Sequence, residues 1–154
     1  MRSTTMIPYA DIVIRNSDGN VVAAVEVKNS ANLSRDVAID LRRTLIEYGY
    51  VPATPYFMIL SQDSGFLWKD VSAALLDAPP TQEFSMLPVM QRYLPQADAK
   101  ERLSGSVLEL LILQWLNEIA ANGQHSPADP ERQLATSGFL DSLRDATILV
   151  EVSP

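Results

Sequence analysis

Two short apolar runs on either side of Asp18-Gly19 constrain the fold more than any other part of the chain. They extend from Tyr9 to Arg15 and from Val21 to Lys28, and both are rich in Val and Ile. An Asp-Gly pair between such runs favours a two-residue type I′ turn, because the twist of that turn matches the flanking strands. The sequence therefore predicts a β-hairpin with Asp18 and Gly19 at the centre of its turn.

The turn also sets which residues face each other across the hairpin. Counting outward from it places Asp11 opposite Glu26, and Lys28 points to the same face two residues further on. The pairs between them and the turn are Ser17 with Asn20, Arg15 with Val22, and Val13 with Ala24. The other face should be continuous core, formed by Ala10, Ile12, Ile14, Val21, Ala23, Val25 and Val27.

Two carboxylates directly across a strand pair repel each other, since their Cβ atoms are only about 5 Å apart. A bound divalent cation, the neighbouring Lys28 or a raised pKa on one acid could offset that repulsion, and the first two are compatible here. A solvated strand pair on an exposed sheet face is the simpler interpretation of Asp11 and Glu26. We favour a functional site because register, residue types and Lys28 coincide.

The run Tyr9-Ala10-Asp11-Ile12-Val13-Ile14, followed by Val25-Glu26-Val27-Lys28-Asn29, resembles the core motif of the PD-(D/E)XK nuclease superfamily, the restriction-endonuclease-like fold. The resemblance implies that Asp11, Glu26 and Lys28 are catalytic. It also implies that Asp11, Glu26 and the Val27 carbonyl bind Mg²⁺, for which Mn²⁺ can substitute, while Lys28 orients or polarises the attacking water. Hard oxygen ligands suit Mg²⁺. The implied activity is that of a magnesium-dependent endonuclease that hydrolyses phosphodiester bonds, in DNA more readily than in RNA.

The remainder of the first half continues the resemblance. Ser34 to Tyr48 has the apolar spacing of an amphipathic helix, with Ser34 as its cap and Gly49 at its end. Pro55 to Leu60 and Gly65 to Trp68 are apolar runs expected to form strands. This order of elements is similar to the family core. The expected fold class is α/β, a restriction-endonuclease-like mixed central sheet flanked by helices, with a mainly helical C-terminal part.

Two features depart from the family pattern. The usual Pro before the Asp is replaced by Ala10, a tolerable change because Pro has no chemical role in such a site. The family also normally opens with a helix that packs on the sheet and often adds an acidic residue, whereas only a few residues precede the first strand here. Three explanations remain open: the chain is a fragment, later helices take the missing place, or a partner subunit supplies it.

The second half, residues 78–154, is expected to complete the single domain whose sheet core is residues 1–77. Arg102 to Ala121 is predicted to be a helix buried on more than one side, because apolar residues cover most of its circumference. The other predicted elements are a loop from Asp77 to Gln82, short helical pieces within Glu83 to Leu94, a surface loop from Gln124 to Gln133, a helix from Leu134 to Arg144 and a strand from Thr147 to Val152.

Composition limits the remaining options. A chain of 154 residues with 47% hydrophobic residues suits one domain, and the absence of cysteine excludes disulfides and makes a cytoplasmic setting the default expectation. No apolar run approaches the length of a membrane span. The single histidine, His125, is expected in a loop, and Trp68 and Trp115 in the core. Asp141 and Asp145, four residues apart, could form a second acidic spot or a solvated helix face.

Net charge argues against strong nucleic-acid binding. Twelve Lys and Arg against nineteen Asp and Glu give a formal charge of −7, while DNA attracts proteins largely through cationic contacts to phosphate. The residues expected to build a phosphate-facing surface are Arg15, Arg35, Arg42, Arg43 and Lys69. We therefore expect weak binding by the chain alone, and action as a homodimer or with a partner protein.

Two alternatives to the enzyme follow from the same residues. One is a catalytically inactive nuclease-fold module that serves binding or assembly in a larger DNA-processing or defence system. The other is an unrelated α/β protein in which Asp11 and Glu26 are surface residues more than about 10 Å apart, a gap that metal-bridging oxygens do not span.

Overall fold

The computed structural model describes residues 10–31, 33–49, 54–95, 102–122 and 126–150. These residues form strands β1 (Ile12–Arg15), β2 (Val21–Val27), β3 (Tyr56–Leu60), β4 (Ser64–Lys69), β5 (Gln82–Ser85) and β6 (Thr147–Val150). The helices are α1 (Arg35–Glu47), α2 (Leu87–Tyr93), α3 (Gly105–Asn122), α4 (Glu131–Thr136) and α5 (Phe139–Ser142). Tyr9 of the motif, His125 and the end of the last predicted strand, Glu151 and Val152, lie outside the described residues.

One open sheet contains all six strands, in the order β5-β4-β3-β2-β1-β6. Only β2 and β3 are parallel, and every other neighbouring pair is antiparallel. A parallel pair needs a long crossover, and α1 supplies it. Its predicted boundaries are confirmed: Ser34 Oγ accepts a hydrogen bond from the Val37 N–H at 3.3 Å, and Gly49 follows the helix with φ +74°. The mixed sheet with flanking helices is likewise confirmed.

Both faces of the sheet are covered. On one face Val13, Ala24 and Phe57 pack with α1, while on the other Ile12 and Val25 pack with α2 to α5. The prediction of one continuous apolar hairpin face is correct for Ile12, Ile14, Ala23, Val25 and Val27 but wrong for Ala10 and Val21, which belong to the cluster that includes α1.

The hairpin turn differs from the predicted type I′ turn. The Gly19 N–H donates to the Asn16 carbonyl, and the Asn16 N–H donates to the Asn20 carbonyl, so the loop has three residues with Gly19 alone at positive φ. A type I′ turn would need positive φ at Asp18 as well. The Asn16 side chain favours the longer loop, because its Oδ1 accepts the N–H groups of Asp18 and Asn20 at 3.0 Å each.

The register nevertheless returns to the predicted one. Arg15 pairs with Val21 rather than Val22, and the extra residue Val22 is a β-bulge between that pair and the next. Beyond the bulge Val13 pairs with Ala24, as predicted. Two shifts of one residue, in the loop and at Val22, therefore cancel.

The second half contributes more strand than predicted. Residues 83–85, which were predicted to be helical, belong to the edge strand β5 on β4, and the Phe84 side chain occupies the space that a side chain at Gly65 would need. The predicted helix from Leu134 to Arg144 is divided into α4 and α5, since Gly138 adopts φ +85° between them.

Helix α3 is less enclosed than its composition suggests. Trp115 and Leu116 on α3 are fully buried, and Trp68 on β4 is buried too, so both tryptophans are core residues as predicted. The same helix exposes 63% of Leu110 and 45% of Val107, so the predicted burial on more than one side does not extend to the face that carries these two residues. Across the described ranges, no helix combines the length and apolarity needed to cross a membrane.

Candidate active site

Three side chains from the two hairpin strands converge at one end of the sheet. Asp11 directly precedes β1, Glu26 lies near the end of β2, and Lys28 directly follows it. The Val27 N–H donates to Asp11 Oδ2 at 2.7 Å, and Lys28 Nζ lies 3.6 Å from Glu26 Oε1. The Asp11 carboxylate is also close enough to Glu26 to raise the pKa of that residue, in addition to the larger effect of burial. The structure therefore brings together the three residues that the sequence singled out.

The backbone around these residues is held by both neighbouring strands. Val27 pairs with Leu60 in the parallel ladder, and the Lys28 N–H continues that ladder by donating to the Leu60 carbonyl at 2.8 Å. On the other side the Asp11 carboxylate binds the Val27 amide. Glu26 and Lys28 thus project from a segment whose main chain is fixed on two sides.

The interpretation of this patch as an exposed sheet face is wrong. Val13 and Ala24, the next residues inward on the same face, are buried in the cluster with α1. Glu26 itself is only 8% exposed, whereas Asp11 and Lys28 are half-buried. The carboxylate pair therefore lies at the rim of a covered face, where water screens charge less than on an open surface.

Burial and charge raise the pKa of Glu26 to about 7. Desolvation is the largest cause and the nearby Asp11 carboxylate the next, while Lys28 acts in the opposite direction and lowers the pKa. Lys28 therefore does not offset the repulsion between the two acids on its own. In the metal-free protein, proton retention by Glu26 near and below pH 7 therefore adds to the offset, and this is the third of the possibilities raised by the sequence.

Glu109 on α3 is an acidic residue near the site to which sequence reasoning gave no role. It is half-buried, and burial followed by the charge of Asp11 raises its pKa. Helix α3 contacts β2, the strand that bears Glu26. The available signal was one acid within the apolar run from Val107 to Leu113. A helix from late in the chain thus brings an acidic side chain within electrostatic range of Asp11.

The donor set of this site fits Mg²⁺. Mg²⁺ is usually held by one or two carboxylates with waters filling the other positions, and within the described parts of the chain no three Asp, Glu, His or Cys side chains form a metal-binding group. The Asp11 oxygen that binds the Val27 amide leaves the second oxygen of that carboxylate for a metal. Burial and, after it, repulsion by Asp11 raise the pKa of Glu26, and a divalent cation would relieve that repulsion.

The expected phosphate-facing surface is largely absent. Arg42 is 3% exposed, Arg35 is ion-paired with Glu83, and Arg43 is ion-paired with Asp40 and Asp77. Arg15 and Lys69 are half-buried and lie outside these ion pairs. The prediction that all five form a cationic surface is therefore wrong for Arg42 and weakened for Arg35 and Arg43.

Asp141 and Asp145 do not share a helix face. Asp141 lies within α5, whereas Asp145 follows it at φ +58°, and both are exposed.

The candidate site comprises Asp11, Glu26 and Lys28, with Glu109 nearby. Comparisons of the chain with protein-family models, curated proteins and solved structures find no match.

Proposed function

We propose that this protein is a magnesium-dependent nuclease of the restriction-endonuclease-like type, acting on DNA more readily than on RNA. The observation that carries the proposal is the carboxyl pair of Asp11 and Glu26, with Lys28 Nζ 3.6 Å from Glu26. Two neighbouring acids at the rim of a covered face are costly to the fold when both are ionised, and a bound cation would offset that cost. Asp11, Glu26 and the Val27 carbonyl would hold Mg²⁺, with Mn²⁺ as a substitute.

Bound there, Mg²⁺ would supply Lewis-acid chemistry by lowering the pKa of a water and neutralising charge on the phosphate. The chain's own residues provide position and charge. The Val27 amide fixes the orientation of Asp11, the β2–β3 ladder fixes Glu26, and the half-exposed ammonium of Lys28 can donate to the attacking water or to a phosphate oxygen. In-line attack on phosphorus with cleavage of the bond to O3′ would leave 5′-phosphate and 3′-hydroxyl ends, as the family resemblance implies.

The test is cleavage of plasmid and single-stranded DNA by purified protein with Mg²⁺ or Mn²⁺. Asp11→Asn and Lys28→Met should each lower the rate on the order of 100-fold or more, because the first removes a metal ligand and the second removes a positive charge beside the reacting phosphate. Asp18→Asn is the matched control, since Asp18 is an exposed acid in the turn of the same hairpin. Activity unchanged in the Asp11 and Lys28 variants would remove the assignment.

A structural readout complements the activity. A crystal soaked in Mn²⁺ should show anomalous density between Asp11 and Glu26, and the density should be absent in Asp11→Asn. Density elsewhere on the protein, with none at this carboxyl pair, would contradict the metal site even if some cleavage were measured.

A second candidate is an inactive nuclease-fold module that serves binding or assembly. It is favoured by the ion pairing of most cationic side chains among the described residues and by the exposure of Leu110 and Val107 on α3. Calorimetry without detectable Mg²⁺ binding, together with a stable oligomer in light scattering, would favour this function. Mg²⁺ binding by a homodimer would favour the enzyme, because a duplex cutter needs two active sites, one for each strand.

A further inference from the structure

A cavity of about 600 Å³ lies at the other end of the sheet face that carries Glu26. It is bounded by the second half of α1, the chain entering β3 and the loop that follows β4. Glu26 pairs with Ile59 near the end of β3, whereas Thr54 and Pro55 of the cavity wall precede that strand. The cavity is therefore separate from the candidate active site.

Arg42 forms part of the cavity wall and is 3% exposed. Its guanidinium donates to the carbonyl oxygens of Leu75 at 2.7 Å and Ser72 at 3.2 Å, and lies 5.6 Å from the centre of the Trp68 ring. No carboxylate in the described residues forms an ion pair with it, unlike Arg43, the next residue on α1.

A buried guanidinium without a counter-ion is unusual, because transferring a charge out of water is costly unless an opposite charge accompanies it. Two carbonyls and one aromatic ring compensate part of that cost. The two hydrogen bonds account for two of the five N–H groups of an arginine. The cavity wall thus contains a positive charge that an anion could pair with.

The other walls define what kind of anion fits. Ile46, Phe57 and Val71 offer apolar contacts, which suit an apolar body rather than a hydrated inorganic ion. The exposed residue Asp70 also lines the cavity, and its carboxylate would repel the second charge of a dianion. We propose that the cavity binds a small monocarboxylate with an apolar or aromatic body, whose carboxylate pairs with Arg42.

The test uses benzoate, its neutral analogue benzamide and the dianion phenyl phosphate as probes. Benzoate should bind at least about tenfold more tightly than either, since a charge-assisted pair is lost with the amide and the second charge of the phosphate faces Asp70. In NMR spectra benzoate should shift the indole N–H signal of Trp68 and leave that of Trp115 unchanged. The Trp68 indole N–H donates to the Ala78 carbonyl, whereas that of Trp115 donates to Glu131.

Substitution at the mouth of the cavity locates the binding without altering Arg42. Ala73 lines the cavity and is exposed, so Ala73→Trp should block entry and weaken benzoate binding by about tenfold or more. Ala74→Trp is the matched control, because Ala74 is exposed on the same loop but does not line the cavity. Arg42→Lys should also weaken binding, as lysine keeps the charge but loses the planar fork.

Three results would overturn the proposal: equal affinity for benzoate and benzamide, no benzoate binding at about 10 mM, or equal binding by the Ala73 and Ala74 variants. None depends on Mg²⁺ or on DNA cleavage. The nuclease proposal and this one can therefore fail separately.

Discussion

At the scale of single residues, Glu26 links stability to the proposed chemistry. Its pKa in the folded protein is about 7, against 4.5 for an unperturbed glutamate. Between those values the folded state binds more protons than the unfolded state at this position. In the absence of metal, the contribution of Glu26 to the free energy of unfolding therefore falls as pH rises from about 4.5 to 7.

We predict that Glu26→Gln stabilises the metal-free protein at pH 8 by about 2 kcal/mol, because the amide removes a buried charge next to Asp11. The wild-type protein should lose stability between pH 5 and pH 8 more steeply than the variant. Urea denaturation at both pH values measures the difference. Glu47→Gln, which changes an exposed acid on α1, should behave like wild type; equal pH dependence in all three proteins would show that Glu26 does not titrate in this window.

A second prediction concerns metal affinity. Mg²⁺ competes with the proton held by Glu26, so its affinity should rise about tenfold per pH unit below pH 7 and level off above that value. The cleavage rate should rise with pH in parallel as the reacting water loses its proton. Calorimetric titration at pH 5.5, 6.5 and 8 provides the measurement, and an affinity independent of pH would contradict a role for Glu26 as ligand.

At the scale of elements, local sequence signals predicted the hairpin, helix α1 and strands β3 and β4. The Val and Ile runs form the strands themselves. Ser34 and Gly49 lie directly at the ends of α1, so each signal is within a few residues of the element it predicts. The turn type was missed because the Asn16 side chain, two residues before the Asp-Gly pair, binds the loop backbone. Strand β5 was missed because its place is set by Gly65, a residue of another strand.

Gly65 leads to a prediction about the β4–β5 pair. A Cβ at residue 65 would overlap the ring of the buried Phe84 side chain. Gly65→Ala should therefore destabilise the protein by about 1–3 kcal/mol, the usual cost of overpacking. Thermal or urea unfolding measures the effect.

Two further variants separate the ring contact from other causes. Combining Gly65→Ala with Phe84→Leu should give less destabilisation than the sum of the single changes, because the smaller side chain makes room. Gly105→Ala should change stability little, since nothing lies within 4 Å of a Cβ there. A Gly65→Ala protein as stable as wild type would mean that Phe84 repositions freely.

At the scale of the whole molecule, local patterns predicted neither the strand order nor the presence of Glu109 near Asp11. Strand β6, at the far end of the chain, pairs with β1, and α3 places Glu109 near Asp11. Both depend on contacts between residues more than 90 positions apart. The pairing of the hairpin acids was predicted from a short separation in sequence, and the prediction holds because the one-residue shift in the loop is cancelled by the bulge at Val22.

The distribution of charge leads to a prediction about nucleic-acid binding. The chain has a formal charge of −7, and most cationic side chains in the described ranges are ion-paired. DNA affinity should therefore be weak, with a slope of log affinity against log salt of only about −1 to −2. Fluorescence anisotropy with Ca²⁺ in place of Mg²⁺ measures it, and a slope near −6 would indicate a cationic surface formed in the complex.

The hairpin between Asp11 and Glu26 limits how its length can change during evolution. Deleting one residue from the loop, or Val22 alone, would turn Asp11 away from its carboxyl partner, whereas losing both would leave the two acids facing each other. Length changes in this segment should therefore be tolerated in compensating pairs. An alignment that scores each gap separately would place Asp11 out of register with Glu26, although the proposed chemistry depends on the pairing of these two residues.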